Sequence, residues 1–388
     1  MKKWLNKGVK MSVGNPIERL RRRIEAAAAD DDSGGSAPAG LKGALFILSR
    51  GYGWTMGVRE RLYVRGVLPS RSLPCRVISI GNLAAGGTGK TPMTIFVARL
   101  IQSLGYRVAV VSRGYRGRME PTGGVVSDGR TILAGPEDAG DEPYLMAKIL
   151  TGIPVVVGRR RWEAGMLAVQ RFDPHCIVLD DAFQHRRLHR DLDVVLLDSR
   201  SPFGNGHLLP RGRLREPPSA LQRAQAVVFT RCQTPLGPDM LKRLPLHCPV
   251  FCSVHTPLIR AGKAAAGGAS SDVTTLAGLT GKRVLAFAGL ADNQQFFDCL
   301  EQAGCRVVHA LAFGDHHRYP TGDRERICRM ALQSGAELLV TSFKDWVKIE
   351  HGPSWPLPLV AVDVTIRLLG DPVPFQRLIS SVLPTPGA

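Results

Sequence analysis

The chain has 388 residues, room for two or three globular units, and its 44% apolar and 22% charged content supports a sizeable core and excludes disorder throughout. No run approaches the ~20 apolar residues that span a bilayer, and eight cysteines without a C-x-x-C pair read as reduced thiols of a cytosolic compartment, not a disulfide framework. Lys and Arg total 51 against 33 Asp and Glu, and the resulting +18 points to phosphates, polyanions or an anionic membrane surface as partners.

Met1-Lys2-Lys3-Trp4-Leu5 is basic, but no apolar stretch follows, so a secretory signal is not expected. Residues 1–40 continue as a basic run, an Ala/Asp tract and a Gly/Ser/Pro stretch, the composition of a disordered or low-complexity tail. Residues 41–75 interleave Leu45, Phe46, Ile47, Leu48, Tyr52, Trp54, Met56, Leu62 and Tyr63 with Arg50, Arg59, Arg61, Arg65 and Arg71. That pattern suits a helix lying in a membrane interface with its cations on anionic headgroups, or an amphipathic helix packed on the domain with solvated arginines.

From residue 76 strand-like and helix-like runs alternate. Strands are expected at 76–80, 107–111, 154–157, 176–179, 194–197 and 226–229, with helices at 93–104 and 142–150. Continuous apolar strands separated by helices predict an α/β fold with a mostly parallel sheet, covered on both faces, over 76–260. The small-residue stretch 261–278 reads as a linker. The alternation then restarts in a second, smaller α/β unit over 279–388, with strands at 283–288, 306–311, 337–341 and 359–364 and helices at 294–303 and 324–333.

Between the first strand and helix lies Gly81-Asn82-Leu83-Ala84-Ala85-Gly86-Gly87-Thr88-Gly89-Lys90-Thr91. Strand, glycine-rich loop and helix are the setting of a P-loop NTPase, although Ala84 stands where G-x-x-x-x-G-K-[ST] has its first glycine. Residues 84–91 (Ala84, Ala85, Gly86, Gly87, Thr88, Gly89, Lys90, Thr91) would turn backbone N–H groups toward the phosphates of ATP. Lys90 would reach the β- and γ-phosphates, and the Thr91 hydroxyl would ligate Mg²⁺. Cys176-Ile177-Val178-Leu179-Asp180-Asp181 is an apolar strand ending in two acids, the layout of a Walker B metal carboxylate. The following Gln184, His185, Arg186, Arg187 and Arg190 read equally as a solvated basic turn or as a phosphate-facing wall. His247-Cys248-Pro249-Val250-Phe251-Cys252-Ser253-Val254-His255 lacks zinc-site spacing and reads as a strand with soft core residues.

The set GNLAAGGTGKTP, SRGYRGR, GDEPYLMA, LDDAFQHRRLHRDLDVVLLD, FGNGHLLPRGRLREP, DHHRYP and SFKDWVKI resembles the tetraacyldisaccharide 4'-kinase family, the lipid A 4'-kinases, in order over residues 41 to 350. Ala182 and Ser342-Phe343 depart from that pattern, and 261–272 looks inserted. The resemblance implies ATP-dependent phosphorylation of the 4'-hydroxyl of an acylated glucosamine disaccharide 1-phosphate, with Mg²⁺. It also implies a peripheral place at the cytoplasmic face of the inner membrane, and no obligate protein partner or nucleic acid is expected. It gives Lys90 and Asp141 catalytic roles, with His316 brought from the second unit to pair with that acid. Thr91, Asp180, Asp181 and Glu216 become the metal set, and Gln184, Arg113, Arg161 and Lys344 become further candidates. The competing readings from charge are a nucleic-acid-dependent P-loop ATPase and a membrane-recruited NTPase switch.

Overall fold

The computed structural model describes residues 38–237, 247–265 and 275–385. Residues 1–37 of the expected tail and 266–274 of the expected linker lie outside the described residues. The first element among the described residues is a 26-residue helix, α1 (Ala39–Val64). Then come β1 (Arg76–Asn82), α2 (Lys90–Ser103), β2 (Val108–Ser112), β3 (Gly124–Ser127), α3 (Asp141–Ile149), β4 (Val155–Val157), α4 (Arg161–Phe172), β5 (Cys176–Asp180), β6 (Leu192–Asp198) and β7 (Ala226–Thr230). A 14-residue strand, β8 (Val250–Lys263), leads on to β9 (Arg283–Ala288), α5 (Asn293–Gln302), β10 (Arg306–Ala312), α6 (Thr321–Gln333), β11 (Leu338–Ser342), α7 (Phe343–Ile349), β12 (Leu359–Leu369) and α8 (Val373–Ser381).

All strands join one sheet of twelve in the order β10-β9-β11-β12-β8-β7-β6-β1-β5-β2-β4-β3. Pairing is parallel except for β3 against β4 and β12 against β8. The central strands β1, β2, β5, β6 and β7 are buried nearly end to end, because helices cover both faces; their Val, Ile and Leu runs therefore show no alternation. The two expected α/β units thus share a sheet. β8 is the seam between them, parallel to β7 through Val250–Cys252 and antiparallel to β12 from Cys252↔Leu369 to Lys263↔Leu359. The expected linker therefore begins as strand, because Ala261, Gly262 and Lys263 still pair with Ala361, Val360 and Leu359.

Parallel order lines up the carboxyl ends of β1, β5, β2, β6 and β7 along one edge, where ligands of open α/β sheets collect, and β11, reversed by the antiparallel β8–β12 pair, points its carboxyl end back toward that edge. The phosphate loop leaves β1 at that edge. Gly81 has no room for a side chain: a Cβ there would lie 2.5 Å from the Phe183 Cβ and 2.7 Å from its backbone nitrogen. That close approach holds the first loop against the Asp180-Asp181 turn.

Helix α1 lies across the loops of the same edge. Its inner face is fastened by polar contacts: the Ser49 hydroxyl donates to Leu208 O (2.8 Å) and accepts from Arg211 N (2.9 Å). The Tyr52 hydroxyl donates to Arg215 O (2.9 Å) and Arg59 to Gln184 O (2.8 Å). Glu60 pairs with both Arg186 and Arg223. The outer face carries Ile47, Leu48 and Trp54, at 72%, 59% and 70% exposure, beside the exposed Arg50 and Arg61. No described helix is long and apolar enough to cross a membrane.

Candidate active site

A cleft of about 3140 Å³ opens along this edge, its walls drawn from both halves of the sheet. The phosphate loop forms its floor. Gly89 caps α2 in the left-handed region (φ 88°) and Gly86 stands at φ 126°, conformations that glycine adopts without penalty. The buried Asn82 amide ties the loop across itself, donating to Ala84 O (2.5 Å) and to the Thr88 hydroxyl (2.8 Å). Lys90 Nζ bends back to Gly86 O at 3.4 Å and stands 3.8 Å from Asp181 Oδ1. Ala84, Ala85, Gly86, Gly87, Thr88, Gly89, Lys90 and Thr91 all line the cleft.

Asp180 ends β5 fully buried, accepting from the Thr94 hydroxyl (3.1 Å) and the Ser112 hydroxyl (3.0 Å). Burial, helped by the neighbouring Glu142 and Asp181 carboxylates, pushes its carboxyl up to about 6. Asp181 has φ 47° and receives Arg215 Nη1 on both oxygens at 2.9 and 3.0 Å. Burial alone would raise it, but Lys90 and Arg215 bring it below the usual carboxylate range. A buried acid held high by its neighbours is a place short of positive charge, and a divalent cation beside Asp180 and Thr91 would correct that. Among the described residues no three His, Cys, Asp or Glu side chains converge as a ready metal cage. Mg²⁺ at a nucleotide needs only one or two protein carboxylates, because phosphate and water oxygens complete its shell. The donors present therefore fit Mg²⁺.

Across the cleft, Asp141 at the start of α3 meets His316 from the loop after β10, with Oδ2 2.9 Å from Nδ1. His316 holds φ 63°, an outlier for a histidine of the kind found where geometry serves a site. Lys348 Nζ lies 3.5 Å from the same Asp141 oxygen. Burial raises the Asp141 carboxyl, but the His316 hydrogen bond and the Lys348 and Lys344 charges outweigh it and leave the carboxyl below its ordinary value. Lys344 reaches Asp315 at 3.1 Å, His316 Nε2 at 3.5 Å and Glu142 at 3.6 Å. Burial would lower its ammonium, yet Glu142, Asp315 and Asp141 carry it above its ordinary value.

The remaining candidates divide. Gln184 lines the cleft and donates to Asn82 O at 2.8 Å, leaving Oε1 buried without a partner. Arg113 lines the cleft while paired with Glu120 at 2.7 Å. Arg161 is turned inward, 3% exposed and bonded to Gly158 O and Asp180 O, and burial brings it down to about 10. It props the end of β5 more than it presents charge. Glu216 is buried and bound by Arg223 at 2.7 Å, and it is its neighbour Arg215 that reaches Asp181.

Sequence reasoning left out Thr94, Ser112, Arg215 and Lys348. Two of these were findable: Thr94 lies one helical turn after Lys90, and Ser112 closes β2 at the carboxyl edge. Lys348 lies one turn after Lys344, but nothing local links it to Asp141.

With this geometry in view, the chain was compared with known proteins. The profile of the family described as tetraacyldisaccharide-1-P 4'-kinase matches residues 41–384. The tetraacyldisaccharide 4'-kinase of Desulfatibacillum aliphaticivorans is 43% identical over 355 residues, 90% of this chain and 95% of that protein. That of Geobacter sulfurreducens is 42% identical over 353 residues, 89% of this chain and 95% of that protein. The crystal structure of LpxK from Aquifex aeolicus in complex with ATP superposes with a TM-score of 0.68 at 30% identity, covering 89% of this chain and all of that one. The chain therefore belongs to the tetraacyldisaccharide-1-P 4'-kinase family.

Proposed function

We propose that this chain, a kinase of lipid A biosynthesis that uses ATP, transfers the γ-phosphoryl group to the 4'-hydroxyl of a tetraacylated glucosamine disaccharide 1-phosphate in the cleft just described. Such a transfer needs the phosphoryl charge offset and the attacking oxygen held in line. The loop N–H groups and Lys90 hold the β- and γ-phosphates on the floor. Thr91, Asp180 and Asp181 would hold Mg²⁺, which would supply further neutralisation of phosphate charge. Asp141 accepts the hydrogen bond of the sugar hydroxyl and takes its proton as the new P–O bond forms. His316 fixes the carboxylate from the far wall, and Lys344 and Lys348 keep it ionised. A weakly basic carboxylate suffices because, in a loose transition state, the hydroxyl loses its proton late.

The observation that carries this reading is the 2.9 Å contact of Asp141 with His316, which lines the same cleft as Lys90 and Asp180. The family match does not favour the nucleic-acid ATPase. The test is γ-labelled ATP with the tetraacylated disaccharide 1-phosphate in mixed micelles. Label should pass to the lipid and stop when a chelator removes Mg²⁺. Release of inorganic phosphate alone, or hydrolysis stimulated by DNA or RNA, would refute the assignment.

Acyl chains stay in the bilayer, so the enzyme works at its surface, which we place at the cytoplasmic face of the inner membrane. The apolar outer stripe of α1, with Ile47, Leu48 and Trp54 among arginines, supports this. Burying two large side chains contributes about 1.5–3 kcal/mol each. Ile47→Glu with Trp54→Glu should therefore cut partitioning onto anionic phospholipid vesicles at least about tenfold, while turnover of micellar substrate persists. Unchanged sedimentation with vesicles would count against the helix as the anchor.

A further inference from the structure

The back of the phosphate loop is held by a group that the kinase mechanism leaves unused. β6 ends at Asp198 and β7 ends at Thr230, and Arg231 follows with φ 60°, a left-handed turn for a non-glycine residue. That turn sends the guanidinium sideways. One nitrogen pairs with Asp198 Oδ2 at 2.5 Å, and the other donates to the Gly87 carbonyl at 2.5 Å. Next to it the Thr230 hydroxyl donates to the Thr88 carbonyl at 3.0 Å. Two consecutive loop carbonyls are thereby drawn toward β7. In a planar trans peptide the N–H points opposite to the C=O. Pulling the Thr88 carbonyl toward Thr230 therefore turns the Gly89 N–H toward the opposite side, and pulling the Gly87 carbonyl toward Arg231 turns away the Thr88 N–H, which reaches Gly86 O at 3.1 Å. His255 completes the backing: a Cβ on Gly89 would come within 2.6 Å of its Nε2, so the loop has no space to relax rearward.

We infer that Arg231, oriented by Asp198, is a positioning residue for nucleotide binding: it holds the Gly87 carbonyl, whose peptide closes the Thr88–Gly86 turn, and so keeps the loop in the shape that receives phosphate. The inference rests on the reading of this loop as the ATP site and adds to it a residue outside the loop. Arg suits the task because its planar fork serves a carboxylate and a carbonyl at once, whereas one ammonium cannot keep both in plane. Asp198 is itself steadied by Arg200, whose two nitrogens reach it at 3.0 and 2.8 Å, so the pair is braced from the solvent side.

The experiment is steady-state kinetics of the full chain with ATP and lipid varied separately, plus equilibrium binding of a fluorescent ATP analogue without lipid. Arg231→Gln should raise the ATP KM and the analogue Kd about tenfold or more, and leave the lipid KM within about twofold. Arg231→Lys should recover part of that loss, and Asp198→Asn should reproduce part of it. A folded Arg231→Gln protein with unchanged ATP KM overturns the inference, as does an equal rise in both KM values. Should Arg231→Gln fail to fold, Arg231→Lys and Asp198→Asn decide by the same split. If Lys90→Ala weakens ATP binding and Arg231→Gln does not, only this inference fails; if neither does, the loop itself has been misread.

Discussion

Lys90→Ala should lower kcat/KM for lipid phosphorylation by about three decades while leaving the fold in place. The ammonium stands at the mouth of α2, 3.8 Å from Asp181 and 3.4 Å from Gly86 O, with no carboxylate closer. Those contacts are long, so the unliganded protein gains little from them; an ion pair of this kind contributes at most about 1 kcal/mol, or roughly 2 °C in Tm for a chain of this size. With a phosphate in the loop the balance changes. A unit charge pair about 4 Å apart at an effective dielectric near 20 interacts by about 4 kcal/mol, which is a factor of roughly 10³. That charge is needed most when the γ-phosphoryl group is in transit, so kcat should carry much of the loss. Asp181 would lose one of the three cations that lower it, and Arg215 and Arg161 would then hold it. Retention of activity within about tenfold of the parent, in a protein whose melting is unaltered, would remove the loop from the phosphate-binding role.

What could be read in advance was what local chemistry dictates. β1 and β5 were visible because both are apolar runs closed by residues that a buried strand cannot continue: a glycine-rich loop after one, paired acids after the other. Helices α4 and α7 were not read. Arg161–Phe172 mixes Arg, Glu and Gly with apolar residues, and Phe343–Ile349 is only seven residues long, too short for periodicity to declare itself. β3 (Gly124–Ser127) is a four-residue edge strand behind two glycines. β12 was expected to stop at 364 but runs to Leu369, since Thr365–Leu369 is strand only by virtue of its partner β8. The single sheet escaped for the same reason: a small-residue stretch after a long strand looks like a linker whether or not the strands on either side pair. At the site, Lys90, Thr91 and Asp180 follow from motif and position, and Asp141 from the family resemblance. Glu216 shows where a local reading stops, because it is held by Arg223, seven residues on, which Glu60, far away in α1, also binds. Burial and partner decide it, and neither is local.

The contact that only the family resemblance foresaw spans 175 residues, and it is where the second prediction falls. Asp141→Asn and His316→Ala should each lower kcat by about 10²–10⁴, the usual worth of general acid–base groups, with the ATP KM nearly unchanged. The double variant should be no worse than the poorer single one by more than about tenfold, because the two side chains act as one unit. The reason lies in their arrangement. Asp141 sits on α3 in one half of the sheet, and His316, Lys344 and Lys348 come from the other half, so the base is complete only where the halves meet. The α3–α7 contact is held away from the cleft by Tyr144 and Lys148 on Glu350, at 3.0 Å each, so losing His316 leaves the halves docked. For His316→Ala the loss should therefore appear mainly in turnover, with the halves still joined. Stability gives an independent check on Asp141, whose carboxyl lies below its ordinary value. A depressed carboxylate contributes stability that is fully present above its unfolded value near 3.9 and is lost as pH falls through the lower folded value. The Tm difference between the parent and Asp141→Asn should thus be constant from about pH 5 to 8 and close below about pH 4. Strictly additive losses in the double variant would separate the two residues and leave His316 as a bystander of the closed cleft.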